Sequence, residues 1–241
     1  MNDRPFLTAE WRNLLMVNFV VEPALLAPHV PAGTQIDSHG GATYLSLVAF
    51  QFMKTRLLGV RVPLHHSFEE VNLRFYVRRE SGGESRRAVV FLREVVPRRA
   101  IALLARAIYN EPYVARPMCH EVSGMPPGVE YGWRHEGRWH LVAGRAHGPG
   151  ALPAADSREE FITEHYWGYT RQRDGRTLEY RVEHPRWTVW AAALSKFPPL
   201  ASLCGETLAA GLIEPASVFI ADGSPVSVWR GVHLGQPAAR Q

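Results

Sequence analysis

Between positions 70 and 77 four polar side chains of unlike chemistry alternate with apolar ones. Glu70, Asn72, Arg74 and Tyr76 interleave with Val71, Leu73, Phe75 and Val77. This is the period of a β-strand with two different faces. The polar face offers a carboxyl, an amide, a guanidinium and a phenol in one row. Such a row suits recognition of a small molecule. Glu70, if desolvated, would have a raised pKa and exchange protons. Arg74 would hold an anionic group with a two-pronged hydrogen bond, and Asn72 would orient the ligand. At strand rise, Glu70 and Arg74 lie ~13 Å apart, so they would bracket a ligand rather than neutralise each other. A strand whose polar face meets water fits the same pattern.

The neighbouring residues extend the set. Val62-Pro63-Leu64-His65-His66 delivers two histidines to the start of this strand. Adjacent histidines on an extended segment point to opposite sides, so they do not jointly hold a metal. His66 is the candidate ligand contact, and no metal or cofactor is expected. Further along, Asp174-Gly175 signals a tight hairpin turn. A two-residue turn there pairs Tyr169 with Tyr180, Trp167 with Val182 and His165 with His184. That face reads either as core or as an aromatic cage. The opposite face, with Glu179, Arg181 and Glu183, reads as a charged ladder.

The elements that must position these residues are mostly strands. Leu14 to Val21, Ala42 to Met53, Val71 to Arg79 and Arg87 to Val96 are β-like. The last two join through Ser81-Gly82-Gly83-Glu84. Pro97 introduces a helix whose Ile101, Leu104, Ala105 and Ile108 form one apolar face. It stops near Asn110, before Glu111-Pro112. Trp133 to Arg145 turns at Gly137, and Val226 to Arg230 is a final strand. A partly helical segment covers Leu203 to Leu212. The connections are hairpin-like rather than repeated βαβ units. The expected fold is therefore a mainly β, antiparallel barrel or sandwich with one or two packed helices.

Bulk properties narrow the function classes. A chain of 241 residues fits one large β domain spanning 1–241. No apolar run approaches the ~20 residues of a membrane span, and the N-terminus lacks a signal-peptide pattern. A cytoplasmic protein without membrane attachment is expected. The net charge is +4, but the arginines occur in short scattered pairs, often beside glutamates. No nucleic-acid-binding signature accompanies them. Cys119 and Cys204 lack metal-ligand spacing and read as free, buried thiols. No Gly-x-Ser-x-Gly elbow or phosphate loop is present.

Four segments carry a family resemblance. They are Pro5-Phe6-Leu7-Thr8-Ala9-Glu10-Trp11-Arg12, Phe68-Glu69-Glu70-Val71-Asn72-Leu73-Arg74, Glu164-His165-Tyr166-Trp167-Gly168-Tyr169 and Tyr180-Arg181-Val182-Glu183-His184-Pro185. Together they resemble the YqjF-like family of uncharacterised bacterial proteins (domain of unknown function 2071). The resemblance covers nearly the whole chain. It implies the acetoacetate decarboxylase-like fold, a closed antiparallel barrel around an internal cavity. It also implies that Glu70 faces that cavity. The decarboxylases place a Schiff-base lysine after the proline that follows a helix. In this chain Pro112 is followed by Tyr113 and Val114, and Lys54 and Lys196 are the only lysines. A phenol cannot form an imine, so Schiff-base chemistry at this position is excluded.

The expected function is a barrel that binds a small anionic or carbonyl-bearing molecule. Glu70 would be the proton donor or acceptor, with Asn72, Arg74, Tyr76, Tyr113 and His66 as ligand contacts. If catalytic, the reaction would be imine-free chemistry on a keto or enol acid. The alternatives are a non-catalytic sensor or carrier, or a protein-interaction scaffold, and a homo-oligomer is compatible with all three.

Overall fold

The computed structural model describes residues 4–61 and 66–235. Its first half contains strands β1 (Leu7–Val20), β2 (Gln35–Ile36), β3 (Tyr44–Leu57), β4 (Val60–Arg61), β5 (Phe68–Ser81), β6 (Glu84–Val96) and β7 (Tyr113–Ala115). Helices α1 (Pro23–Leu26) and α2 (Arg99–Tyr109) belong to this half. Then come β8 (Met118–Ser123), β9 (Gly128–His135), β10 (Arg138–Ala146), α3 (Arg158–Thr163), β11 (Trp167–Arg171) and β12 (Thr177–Glu183). The chain continues through β13 (Val189–Lys196), α4 (Ala201–Ala209), β14 (Ser217–Val228) and β15 (Val232–His233).

The protein is mostly β, and its strands form one extended pairing network. The path β12–β11–β6–β5–β3–β1–β14 returns to β12 through Val182↔Val228 and Glu183↔Ser227. Strands β13, β10, β9 and β8 continue from β14 as an outer extension. The sheet is mixed rather than purely antiparallel, because β11 and β7 each pair parallel with β6. Both parallel neighbours reach β6 through helix-containing connections, which a parallel pair requires.

Strand β5 is buried on both faces, which removes the solvated-strand reading. Val71, Leu73, Phe75 and Val77 are all 0% exposed and pack into the larger core with Leu15, Leu45 and Trp133. Burial of each such side chain stabilises the fold by ~1.5–3 kcal/mol. The other face carries Glu70, Asn72, Arg74 and Tyr76, also buried. Beside it lies a second apolar cluster that includes Phe50, Phe52, Phe161 and Trp187.

The β5–β6 hairpin closes on Gly82 and Gly83, both at positive φ (59° and 82°), which suits a two-residue turn. The later hairpin departs from the expected register. Gly168 pairs with Tyr180, Tyr169 with Glu179 and Thr170 with Leu178. The connection therefore covers residues 172–176 and is stitched by Gln172 N–H to Arg176 O at 2.7 Å. Asp174 binds the Arg176 amide and guanidinium rather than seating a two-residue turn. One residue of slip re-sorts the faces. Glu179 is no ladder member but is 4% exposed, held by Arg86 at 2.7 Å and Tyr169 at 2.7 Å. Both cysteines are free, and Cys119 is exposed rather than buried. No helix among the described residues is long and apolar enough to cross a membrane.

Candidate functional site

A cavity of about 170 Å³ opens beside the polar face of β5. Its polar end is built by neighbouring strands. Asn72 pairs with Glu94 across β5 and β6, and Glu94 pairs with Tyr113 across β6 and β7. Glu70 sits two residues before Asn72 on the same face. Glu111 enters from the turn after α2, which ends on Asn110 in the left-handed conformation (φ 56°). The remaining walls are largely apolar and aromatic, with Trp11, Phe50, Phe68 and Trp187 among them. The apolar face of α2, through Ile101, Leu104 and Ile108, also lines the cavity.

The carboxyls are deeply desolvated. Glu70 and Glu94 are each 2% exposed and Glu111 is 5% exposed. Glu70 accepts from Asn72 Nδ2 at 3.0 Å and from the Tyr113 hydroxyl at 3.1 Å. Burial pushes its pKa up to about 7, although Asn72, Tyr113 and the Arg74 charge oppose the rise. Glu111 accepts from the Thr170 and Tyr180 hydroxyls. Burial pushes it up to about 7 as well, against those two hydrogen bonds. Glu94 is raised furthest above the carboxylate range. Burial is the main cause, and the charges of Glu111 and Glu70 add to it. Burial and the nearby carboxylates also raise the Tyr113 and Tyr180 phenols, so both remain protonated.

Several buried polar atoms in this wall lack a protein partner among the described residues. They are Glu94 Oε2, Asn72 Oδ1, Arg74 Nε and both ring nitrogens of His165. Unpartnered buried polar groups cost ~1–3 kcal/mol each and concentrate at sites that bind something. Arg74 is 8% exposed and donates from Nη2 to Ile162 O at 3.2 Å, which fixes its plane. Burial, with the cations Arg87 and Arg74 nearby, holds His165 well below the usual imidazole range, so it is neutral.

Most of the sequence-derived set converges on this cavity. Glu70, Asn72, Arg74 and Tyr113 line it. Glu70 is the inward glutamate, whereas Glu69 turns out to meet His120 Nδ1 at 2.6 Å. Tyr76 does not line the cavity. Its hydroxyl is spent on Ser46 Oγ at 2.7 Å, and its ring packs against His165. His66 is also absent from the lining; its backbone carbonyl accepts from Thr55 N–H at 3.0 Å. His65 lies outside the described residues. The aromatic hairpin splits: Trp167, Tyr180 and His184 line the cavity, while Tyr169 bonds Glu179 elsewhere.

The sequence reading missed Glu94, Glu111 and His165. Glu94 is hidden by a bulge. Leu73 pairs with Arg93 but Arg74 pairs with Phe91, so Leu92 is an extra residue in β6. Strict alternation from Val89 and Phe91 selects Arg93 as the inward residue; the bulge substitutes Glu94. Glu111 sat in a helix-terminating segment, where a carboxyl reads as solvated.

Known structures and sequences define the setting. The acetoacetate decarboxylase of Legionella pneumophila superposes with a TM-score of 0.65 at 11% identity, covering 96% of this chain and 88% of that one. The enduracididine biosynthesis enzyme MppR in complex with pyruvate gives 0.64 at 13% identity, covering 98% and 92%. An acetoacetate decarboxylase-like enzyme from Sphingomonas wittichii RW1 gives 0.63 at 13% identity, covering 98% and 94%. The fold is thus acetoacetate decarboxylase-like. Residues 8–225 match the model of DUF2071, an uncharacterised conserved protein family, and the chain belongs to that family. It is 26% identical over 180 residues to the uncharacterised protein YqjF of Bacillus subtilis, covering 73% of this chain and 72% of that one.

Proposed function

We propose that this protein binds a small molecule in the cavity beside β5 and exchanges protons with it without forming an imine. The circuit of strand pairings acts in this reading as a closed barrel, formed by one domain. The observation that carries the proposal is the cavity's asymmetry. Glu70, Glu94, Glu111 and Tyr113 adjoin one another in the lining, and most of the remaining lining is apolar or aromatic. A ligand with an apolar body and a polar head fits that division.

The chemistry follows from the protonation states. Glu70, poised near neutrality, is suited to take a proton from carbon or oxygen. Glu94, held neutral, is suited to donate its proton to a carbonyl oxygen. In a carbonyl-bearing ligand the pair would move a proton from the α-carbon to Glu70 and supply one from Glu94 to the oxygen. Arg74 would anchor a polar substituent through its free Nε. Imine formation has no candidate here. Lys54 is paired with Glu10 and Lys196 with Glu130, their side chains 70% and 51% exposed, and neither lines the cavity.

A panel of small ketones and keto acids, read by ligand-induced melting shift and by solvent deuterium uptake, tests the proposal. Binding abolished in Glu70→Gln and Arg74→Ala supports the assignments. Equal shifts in wild type and both variants would remove them. Deuterium uptake separates an enzyme from a carrier, since a carrier gives saturable binding without exchange.

A further inference from the structure

Carboxyls outnumber cations in the cavity lining. Glu70, Glu94 and Glu111 supply three carboxyls, all buried. Arg74 is the only arginine or lysine in the lining among the described residues. The histidines in the wall do not make up the difference. Burial lowers the pKa of both His165 and His184, so both favour the neutral form. A carboxylate in such a place is stable only with a proton or a neighbouring cation.

The vacant hydrogen-bonding capacity points the same way. Glu94 Oε2 and Asn72 Oδ1 are buried oxygens without a hydrogen-bond partner among the described residues, on side chains 2% and 3% exposed. They are cross-strand neighbours on β6 and β5. The rest of the wall is apolar and aromatic, including Trp11, Phe50, Phe52 and Phe68, with Phe52 and Phe68 stacked at 4.8 Å. Aromatic faces tolerate a desolvated cation that an aliphatic wall would reject. Among the described residues no three acidic, histidine or cysteine side chains are grouped to hold a metal ion. An ammonium or amidinium nitrogen brings the N–H donors that these two oxygens can accept.

We infer that the ligand of this cavity carries a cationic nitrogen, a primary ammonium or an amidinium-type group, on an apolar or aromatic body. The nitrogen lies against Glu94 and Asn72, and the body lies along the aromatic wall. This inference rests on the reading that the cavity is the ligand site. It departs from the expectation of an anionic ligand, which Arg74 alone suggested.

Proton balance gives the inference a distinctive signature. The groups facing the nitrogen are Glu70 and Arg74 from β5, Glu94 from β6, Glu111 from the turn after α2, and Tyr113 from β7. Tyr109 from α2, Tyr180 from β12 and the two histidines are the other titratable groups of the wall. The phenols stay protonated, so the carboxyls are the groups that respond. An incoming cation lowers their pKa values, and each carboxyl that ionises releases its proton to solvent. Binding should therefore strengthen as pH rises through the carboxyl range.

The test uses three ligands of similar shape, namely phenethylamine, phenylacetate and phenylacetone. Each is titrated calorimetrically into the full chain at about pH 6 and about pH 8. Buffers of different ionisation enthalpy count the protons. The expected result is phenethylamine binding at least about tenfold tighter than phenylacetate. It should release protons at the lower pH and bind more tightly at the higher. Glu94→Gln should cost phenethylamine about tenfold and phenylacetone markedly less. An unchanged unfolding midpoint of ligand-free Glu94→Gln, measured by chemical denaturation at about pH 6, separates loss of binding from loss of fold. Phenylacetone binding without phenethylamine overturns this inference and leaves the cavity reading intact. Phenylacetate binding best overturns it in favour of Arg74. Failure of all three ligands removes both readings.

Discussion

At the scale of single residues, the site is defined by carboxyls held above their ordinary pKa. That has a consequence for stability with a definite sign. Glu70 and Glu111 titrate from 4.5 in the unfolded chain to about 7 in the fold. Below the unfolded value both states are protonated and nothing is lost. As pH rises toward 7 the unfolded state releases protons that the folded state keeps, so stability falls. Each group contributes a loss of order 3 kcal/mol across that interval, shared between coupled neighbours. Ligand-free protein should thus unfold in less denaturant at about pH 7.5 than at about pH 5. Glu70→Gln and Glu111→Gln should each flatten this slope and raise the midpoint at the higher pH. Denaturation midpoints across the pH series provide the check, and a flat wild-type profile would contradict the assigned shifts. Arg74 should behave oppositely. Its charge opposes the rise in the Glu70 pKa, so Arg74→Ala should steepen the loss.

At the scale of elements, close packing decides which side chains reach the cavity. Gly168 is fixed by the ring it faces, because an added Cβ would stand 2.1 Å from Tyr180 Cζ. Tyr180 in turn donates to Glu111 at 2.8 Å. Gly168→Ala should displace the ring, strand a buried carboxyl oxygen, and destabilise the protein by ~1–3 kcal/mol. Adding Tyr180→Phe should not restore the loss, since the clash is with the ring itself. Chemical denaturation of the single and double variants distinguishes the two contributions.

The same packing explains what could and could not be read from the sequence. The alternation in β5 was legible because its period is unbroken from Glu70 to Val77, and the inward choice of Glu70, Asn72 and Arg74 followed from it. The α2 stripe was equally legible from its spacing. Tyr76 kept the period but reaches Ser46 instead of the cavity, and alternation carries no information on where a row leaves a pocket. Glu94 was invisible because a one-residue bulge at Leu92 reverses the faces of β6. The register of the β11–β12 hairpin failed for a similar reason. Asp174 bonds to Arg176 stabilise a longer turn, and neither the length of that turn nor the parallel pairing of β11 with β6 has a local signal.

At the scale of the whole molecule, the fold surrounds a cavity that has carboxyls and phenols but no lysine. The likeness to acetoacetate decarboxylases is one of architecture, and in this chain Pro112 is followed by Tyr113. Borohydride reduction in the presence of a β-keto acid should leave the protein mass unchanged. A stoichiometric adduct on Lys54 or Lys196 would overturn the imine-free account. The α2 helix, whose Leu104 is 45% exposed although its face lines the cavity, is the element a bound ligand would cover most. Ligand binding should slow amide exchange in α2 more than in β5, where the backbone is already buried.

The central claim is that the cavity between Glu70, Glu94 and Trp187 is the ligand site. Its most direct test is a crystal soaked with a mixed library of small aromatic amines, ketones and acids. The account predicts difference density inside the cavity with a polar atom within hydrogen-bond distance of Glu94 or Asn72. That density should disappear in Glu70→Gln/Glu94→Gln crystals. Ligands found only on the outer surface, with the cavity empty at saturating concentration, would contradict it.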